Sequence, residues 1–513
     1  MNQYDIYNIF DRAFSYMRPS EERHVTEVVV HEGVIPIIFV PGVMGSNLKN
    51  TVEGGEWRVD SFWSVLGWLF KSAADRKILL NPAETEVDPE GKPPEGITNR
   101  YVDENGRTIP PEELARARGW GEVSRMSYGD FLVWLENQLN IDDNAAFEDL
   151  ESRLSHHYRH FSGQSAEAAS ARAEADVRTL GRFNFPVHAC GYNWLQSNTD
   201  SAATLGDRVN EIIEGYRRAR MRCDRAILVT HSMGGLVARY YSEVDGGNEH
   251  LLGIVHGVMP TTGAAVFYRR MKCGADGGWA TRQVLGASAR EMTAVLAQAP
   301  GPLQLVPTPE YGRGWFRIEK DGRQIVSLPT GNDPYTEIYL ERDHWWGMME
   351  PVLAVPEVNG WSNNNNGRVE EAWTVYQNLI LDRVQPFHNA LTDRFNSATY
   401  LFYADSSEHM SYGTVSWQGR AMNGGSGTLM TDRILDRYDE HRVIREDEML
   451  YYYTMSEPDE AGDGTVPARS GGTGTDSAQA SLAISTSHES AYDQESARLF
   501  TLGAILALAA QVS

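Results

Sequence analysis

Ala226-Ile227-Leu228-Val229-Thr230-His231-Ser232-Met233-Gly234-Gly235-Leu236-Val237-Ala238-Arg239-Tyr240 is the stretch whose reading decides the fold. A short aliphatic and β-branched run leads into a serine, two glycines follow, and good helix formers continue. A strand, a tight turn and a helix in that order read as a nucleophile elbow, which lifts one serine hydroxyl off the end of a sheet. Glycines after the serine let the helix start close against the strand without a Cβ clash. The usual pattern is G-x-S-x-G, and Thr230 stands where the first glycine belongs. Ser232 is the candidate nucleophile.

Working outward, the elbow lies inside a regular alternation. Pro186 to Asn193 reads as a strand, Leu205 to Arg220 as an amphipathic helix, and Arg225 to Thr230 as the elbow strand. Ser232 to Val244 then reads as a helix and Leu251 to Met259 as a further strand. Such alternation implies parallel strands joined by crossover helices, with sites at the carboxyl ends of the strands. Upstream, the continuously apolar run Ile35 to Val40 reads as a strand covered on both faces. It ends in the turn Pro41-Gly42-Val43-Met44-Gly45-Ser46. Downstream, Thr399 to Ala404 and Ala480 to Ile484 read as strands, and Ser496 to Ala510 as a closing helix.

These pieces predict an α/β-hydrolase core of residues 20–49, 181–262, 368–405 and 461–513. Three other segments read as insertions: 50–180, a cap at 263–367, and a loop and hairpin region at 406–460. Within 57–80, Phe62, Leu66, Leu69 and Phe70 fall at helical spacing with Trp63 and Trp68 off that stripe. An amphipathic helix on the core is one reading. A lid showing Phe62, Trp63, Trp68 and Phe70 to lipid is the other. His156, His157 and His160 lack a third-ligand pattern, so no metal site is expected there.

Composition excludes several function classes. The 513 residues are 41% hydrophobic and 23% charged, with 46 Lys and Arg against 70 Asp and Glu, a formal charge of −24. Such a surface repels nucleic acid and gains nothing from anionic headgroups, so any membrane contact would be hydrophobic and transient. Cys190, Cys223 and Cys273 give neither a paired framework nor metal spacing. The N-terminal residues lack the pattern of a secretory signal, and no apolar run is long enough to span a bilayer. The expectation is a chain made in the cytoplasm, with any export by a specialised route.

A serine hydroxyl needs a histidine to take its proton, and that histidine needs a carboxylate to fix its tautomer and steady its cation. The hydrolase order of serine, acid and histidine is met by Ser232, Asp463 and His488. Asp463 lies in the glycine-bounded turn Gly462-Asp463-Gly464-Thr465-Val466, and His488 between the last strand and the last helix. Asp405, ending the 399–404 strand, is the backup acid. His256 reads as a core histidine. The oxyanion donors should be the amide of Met233, after the nucleophile, and that of Val43 in the early turn. No metal or organic cofactor is required.

The turn 41–46, the elbow and the acidic turn together resemble the lecithin:cholesterol acyltransferase-like lipases and phospholipases. They are also similar to glycosylphosphatidylinositol inositol-deacylase-like hydrolases. The resemblance implies Asp463 as the acid and Val43 with Met233 as the oxyanion hole. Tyr192-Asn193-Trp194 is similar to that family's Tyr-Asp-Trp stretch, with Asn in place of Asp. The family includes lipases delivered into rival cells by type VI secretion. The resemblance thus implies a lipase or phospholipase with a lipid ester substrate, and for an effector an immunity or secretion partner. The alternatives are an acyltransferase using the same acyl-enzyme and a catalytically silent binding protein.

Overall fold

The structure is a computed structural model. It describes residues 15–17, 26–28, 32–58, 68, 71–99, 101, 107–141, 144–275, 286–356, 366–422, 440–446 and 449–512. Its centre is a sheet of six strands: β1 (Ile37–Val40), β2 (Val187–Ala189), β3 (Ala226–His231), β4 (Leu251–Gly257), β5 (Thr399–Ala404) and β6 (Ala480–Ile484). They lie side by side in the order β6-β5-β4-β3-β1-β2, every pair parallel. Every residue of β1, β3 and β4 is buried. This is why their sequences are apolar throughout instead of alternating: helices cover both faces.

Neighbouring residues of β4 show the two layers. On one face, a Cβ added to Gly235, in the helix α3 (Met233–Glu243), would lie 3.1 Å from His256 Nδ1. On the other, a Cβ on Gly257 would lie 2.8 Å from the Tyr492 hydroxyl, just ahead of helix α4 (Glu495–Ala509). Alternate strand residues face opposite sides, so α3 and α4 belong to opposite layers. Helix α2 (Asn198–Arg218) packs on α3. On the side of α4 lie helix α1 (Arg125–Leu139) and the two helices that follow it, Asn144–Phe161 and Ala166–Leu180. Phe131, Leu135, Leu150, Leu154 and Ala173 are completely or almost completely buried in the same core as the sheet. Most of the described part of 50–180 is therefore a layer of the core.

Residues 263–367 and 406–460, expected as separate insertions, share one five-stranded sheet. In spatial order its strands are Arg323–Leu328, Phe316–Lys320, Val415–Ala421, Met449–Met455 and His441–Glu446. Phe316–Lys320 pairs parallel with Val415–Ala421, and the other neighbours are antiparallel. A second apolar core, including Trp315, Phe316, Tyr268, Trp417 and Tyr453, lies beneath it. Asp321 and Gly322 turn the hairpin of its 316–328 arm.

Phe62, Trp63 and Phe70 lie outside the described residues. Trp68 is described, and it is not presented to solvent: it is buried, edge-on to Trp57 at 4.8 Å, with the Arg76 guanidinium 5.9 Å over its ring. A lipid contact for Trp68 is thus corrected to a packing role. Its indole finds more apolar cover beside Trp57 than an exposed stripe offers. Among the described residues no helix is long and apolar enough to cross a membrane.

Candidate active site

The site is built at the carboxyl end of β3. Ser232 has φ 51° and ψ −125°, a positive-φ conformation that a side chain enters at a cost of about 1–3 kcal/mol. Two hydrogen bonds hold it there: Ser232 N–H donates to the Gly257 carbonyl, and Gly235 N–H donates to the Ser232 carbonyl, each at 2.9 Å. The helix starts so close to β1 that a Cβ on Gly234 would stand 2.4 Å from the Pro41 carbonyl oxygen and 2.5 Å from that of Val40. Only glycine fits there.

Thr230, the departure from the motif, is fully buried, and its hydroxyl is 3.0 Å from His256 Nδ1 on the adjacent strand. The two residues are register partners. His256 is indeed a core histidine, and burial lowers its pKa to about 3, so it is neutral. His231, one residue on, faces the opposite layer.

The structure brings Ser232, His488 and Asp463 together. His488 Nε2 is 2.8 Å from Ser232 Oγ, and His488 Nδ1 is 2.7 Å from Asp463 Oδ2. Nδ1–H therefore donates to the carboxylate, leaving the Nε2 lone pair for the serine hydroxyl. The other carboxylate oxygen of Asp463 accepts the N–H of Thr465 at 2.9 Å and of Val466 at 2.6 Å. Gly464, at φ 87°, makes that hairpin turn possible. His488 N–H donates back to the Asp463 carbonyl at 2.9 Å, so acid and base are tied through backbone as well as side chains. Asp405, the backup acid, ends β5 exposed, its N–H bonded to Ile484, and has no bond to His488.

The two proposed oxyanion donors share one construction. The Gly42 carbonyl accepts from Gly45 N–H at 3.0 Å, and the Ser232 carbonyl accepts from Gly235 N–H at 2.9 Å. In a planar trans peptide the N–H points opposite to the C=O. The amides of Val43 and Met233 are thus turned away from those bonds. Neither has a hydrogen-bond acceptor among the described residues. A Cβ on Gly42 would be 3.0 Å from Ser232 Cβ, which sets the early turn directly against the elbow.

That turn is gripped from several sides. Ser124 N–H donates to the Gly45 carbonyl at 2.8 Å, the Tyr192 hydroxyl donates to the Pro41 carbonyl at 2.8 Å, and Tyr192 N–H donates to Ser46 Oγ at 3.0 Å. Asn193 donates to the Thr85 carbonyl at 2.8 Å. The Tyr128 hydroxyl, which sequence reasoning missed, accepts from Gly42 N–H at 3.1 Å. No sequence signal marks it, because it is one aromatic among several on an amphipathic helix.

Beside α3 lies a pocket of mixed character, with Leu236, Phe387 and Phe395 set among polar groups such as Arg239, Glu310 and His388; Ser232, Asp463 and His488 do not line it. Leu236 is one helical turn from Ser232. Among the described residues no cluster of His, Cys, Asp or Glu could hold a metal ion.

No protein-family model and no curated protein matches this chain. Among solved structures, a chain of the Tle4–Tli4 complex superposes with a TM-score of 0.74 at 26% sequence identity. The match covers 93% of this chain and 99% of that one. Coverage of that extent reaches beyond the central sheet into the cap. The chain has an α/β-hydrolase fold, elaborated over nearly its whole length as that chain is.

Proposed function

We propose that this protein is a serine hydrolase that cleaves carboxylic esters of lipids through an acyl-enzyme. The observation that carries the reading is the continuous hydrogen-bonded path from Asp463 through His488 to a strained Ser232. Ser232 Oγ attacks the ester carbonyl carbon as its proton passes to His488 Nε2, and Asp463 stabilises the imidazolium. The negative charge on the carbonyl oxygen is met by the N–H groups of Val43 and Met233, the latter at a helix N-terminus. His488 then protonates the departing alcohol. Water attacks the acyl-enzyme, His488 takes its proton, and the acid is released with Ser232 restored.

A lipid substrate is favoured by the resemblance to lipases and phospholipases. The same resemblance includes lipases delivered by type VI secretion. The similar chain was solved as a Tle4–Tli4 complex. Together they support an antibacterial lipase effector that meets a dedicated immunity protein.

The test is hydrolysis of a panel of phospholipids, neutral lipids and short esters by wild type and Ser232→Ala. Loss of the nucleophile is expected to lower kcat by about a thousandfold or more on every substrate cleaved. Full activity in the variant overturns the reading.

A further inference from the structure

The elbow histidine and the tyrosine of α1 form a second path of hydrogen bonds behind the first. Gly42 N–H donates to the Tyr128 hydroxyl at 3.1 Å; that hydroxyl is 3.0 Å from His231 Nδ1; and His231 Nε2 is 2.9 Å from the backbone carbonyl of His488. Chemistry fixes the direction of every bond. An amide N–H can only donate and a carbonyl can only accept, so Tyr128 accepts from Gly42 and His231 Nε2–H donates to His488. Burial holds His231 neutral, with its pKa lowered to about 3, so Nδ1 is the acceptor and the Tyr128 hydroxyl donates to it. Burial also pushes the Tyr128 hydroxyl up, which keeps the proton it must donate.

We propose that Tyr128 and His231 are positioning residues for ester cleavage, tying the turn that carries the Val43 amide to the loop that carries His488. The inference stands on the serine hydrolase reading. Gly42 is pinned at both ends, its N–H by Tyr128 and its C=O by Gly45, which constrains the peptide that carries the Val43 amide. Packing closes the assembly. The Tyr128 ring lies 4.8 Å from Phe39 and 5.4 Å from His231, and His231 lies 5.2 Å from His488. A Cβ on Gly45 would meet the Tyr128 hydroxyl at 2.7 Å, and one on Gly42 would meet His231 Nδ1 at 2.9 Å. Oxyanion donor and proton carrier thus share one rigid support. Neither Tyr128 nor His231 is in the Ser232–His488–Asp463 path.

The experiment uses the full chain, a short-chain p-nitrophenyl ester, and a trifluoromethyl ketone whose adduct oxygen takes the oxyanion position. Tyr128→Phe keeps the ring and removes only the hydroxyl. The expected result is a fall in kcat of about tenfold or more at little-changed KM, with a matching loss of ketone affinity. A variant with a lowered thermal midpoint but wild-type kcat and ketone affinity overturns the proposal. His231→Gln keeps a donor for the His488 carbonyl, whereas His231→Leu does not. Several-fold higher kcat in the glutamine variant is expected, equal losses overturn the proposal, and this pair decides should Tyr128→Phe not fold. If wild type neither hydrolyses the ester nor is labelled at Ser232 by a fluorophosphonate, the serine hydrolase reading falls, and this inference with it.

Discussion

Thr230 shows how a motif can lose a residue and keep its geometry. The first glycine of the motif ordinarily leaves room beside the elbow, and a small neighbour such as Gly257 is the simplest way to make room for a threonine. The register places His256 there instead, and Gly257 beside His231. The threonine hydroxyl is the hydrogen-bond partner of a buried imidazole whose Nε2 has no partner among the described residues. Thr230→Val keeps the shape and deletes that bond. We expect it to destabilise the fold by about 1–3 kcal/mol, the cost of stranding a buried polar group, while kcat below the melting range stays near wild type. Urea unfolding of the two proteins measures this, and equal midpoints would show that the pair is silent. The order of Ser232, Asp463 and His488 could be read from sequence because each residue carries a local signature of turn or glycine. Tyr128 and His231 could not be read, since their roles arise only where α1 crosses the early turn.

At the scale of elements, legibility followed the range of the contacts. Strands β1, β3, β4 and β5 announce themselves as largely apolar runs, because a parallel strand with helices on both faces has no wet side, whereas the edge strand β6 alternates buried and exposed residues. The cap sheet gave no such signal. Its strand Met449–Met455 is only partly buried along most of its length, and its parallel pair joins Phe316–Lys320 to Val415–Ala421 across distant sequence. Between the cap and β5 the chain runs as the helix Asn366–Leu379 followed by a wider turn at Ile380–Val384 and a short helix to Leu391. Pro386 explains the change, since proline lacks the amide that would continue the ladder. The junction of β3 and α3 is the least forgiving element boundary. Gly234→Ala would drive a methyl group into two backbone carbonyls that cannot rotate away. A loss of about 1–3 kcal/mol of stability, together with lower kcat from a displaced Met233 amide, is expected from thermal unfolding and ester assays. A variant with wild-type values for both would show that the helix start can retreat.

Across the whole molecule, buried histidines dominate the expected response to pH. Burial lowers His157 and His388 to about 4, and His231 and His256 to about 3. The unfolded chain binds protons at these sites near pH 6.5 while the folded chain does not. The stability they contribute is therefore complete above about pH 6.5 and is lost progressively as pH falls toward their folded values. Each contributes roughly 1.4 kcal/mol per pH unit in that window. The unfolding midpoint should fall steeply between pH 6.5 and 5, and a flat profile there would contradict the burial of these rings.

Asp463 also has a position in the architecture with a consequence of its own. It follows the strand Glu460–Gly462, which pairs with Ser406–Ser411, and these two segments flank the three strands of the cap sheet that lie between residues 415 and 455. Gly464 N–H is bonded to the His409 carbonyl at 3.1 Å, and Arg270 of the cap reaches Thr465 at 3.1 Å. The carboxylate is anchored in the cap's stem, while Ser232 stands on the central sheet. The candidate acid and the candidate serine thus rest on different supports, and the geometry between them depends on how the cap's stem is seated against the central sheet.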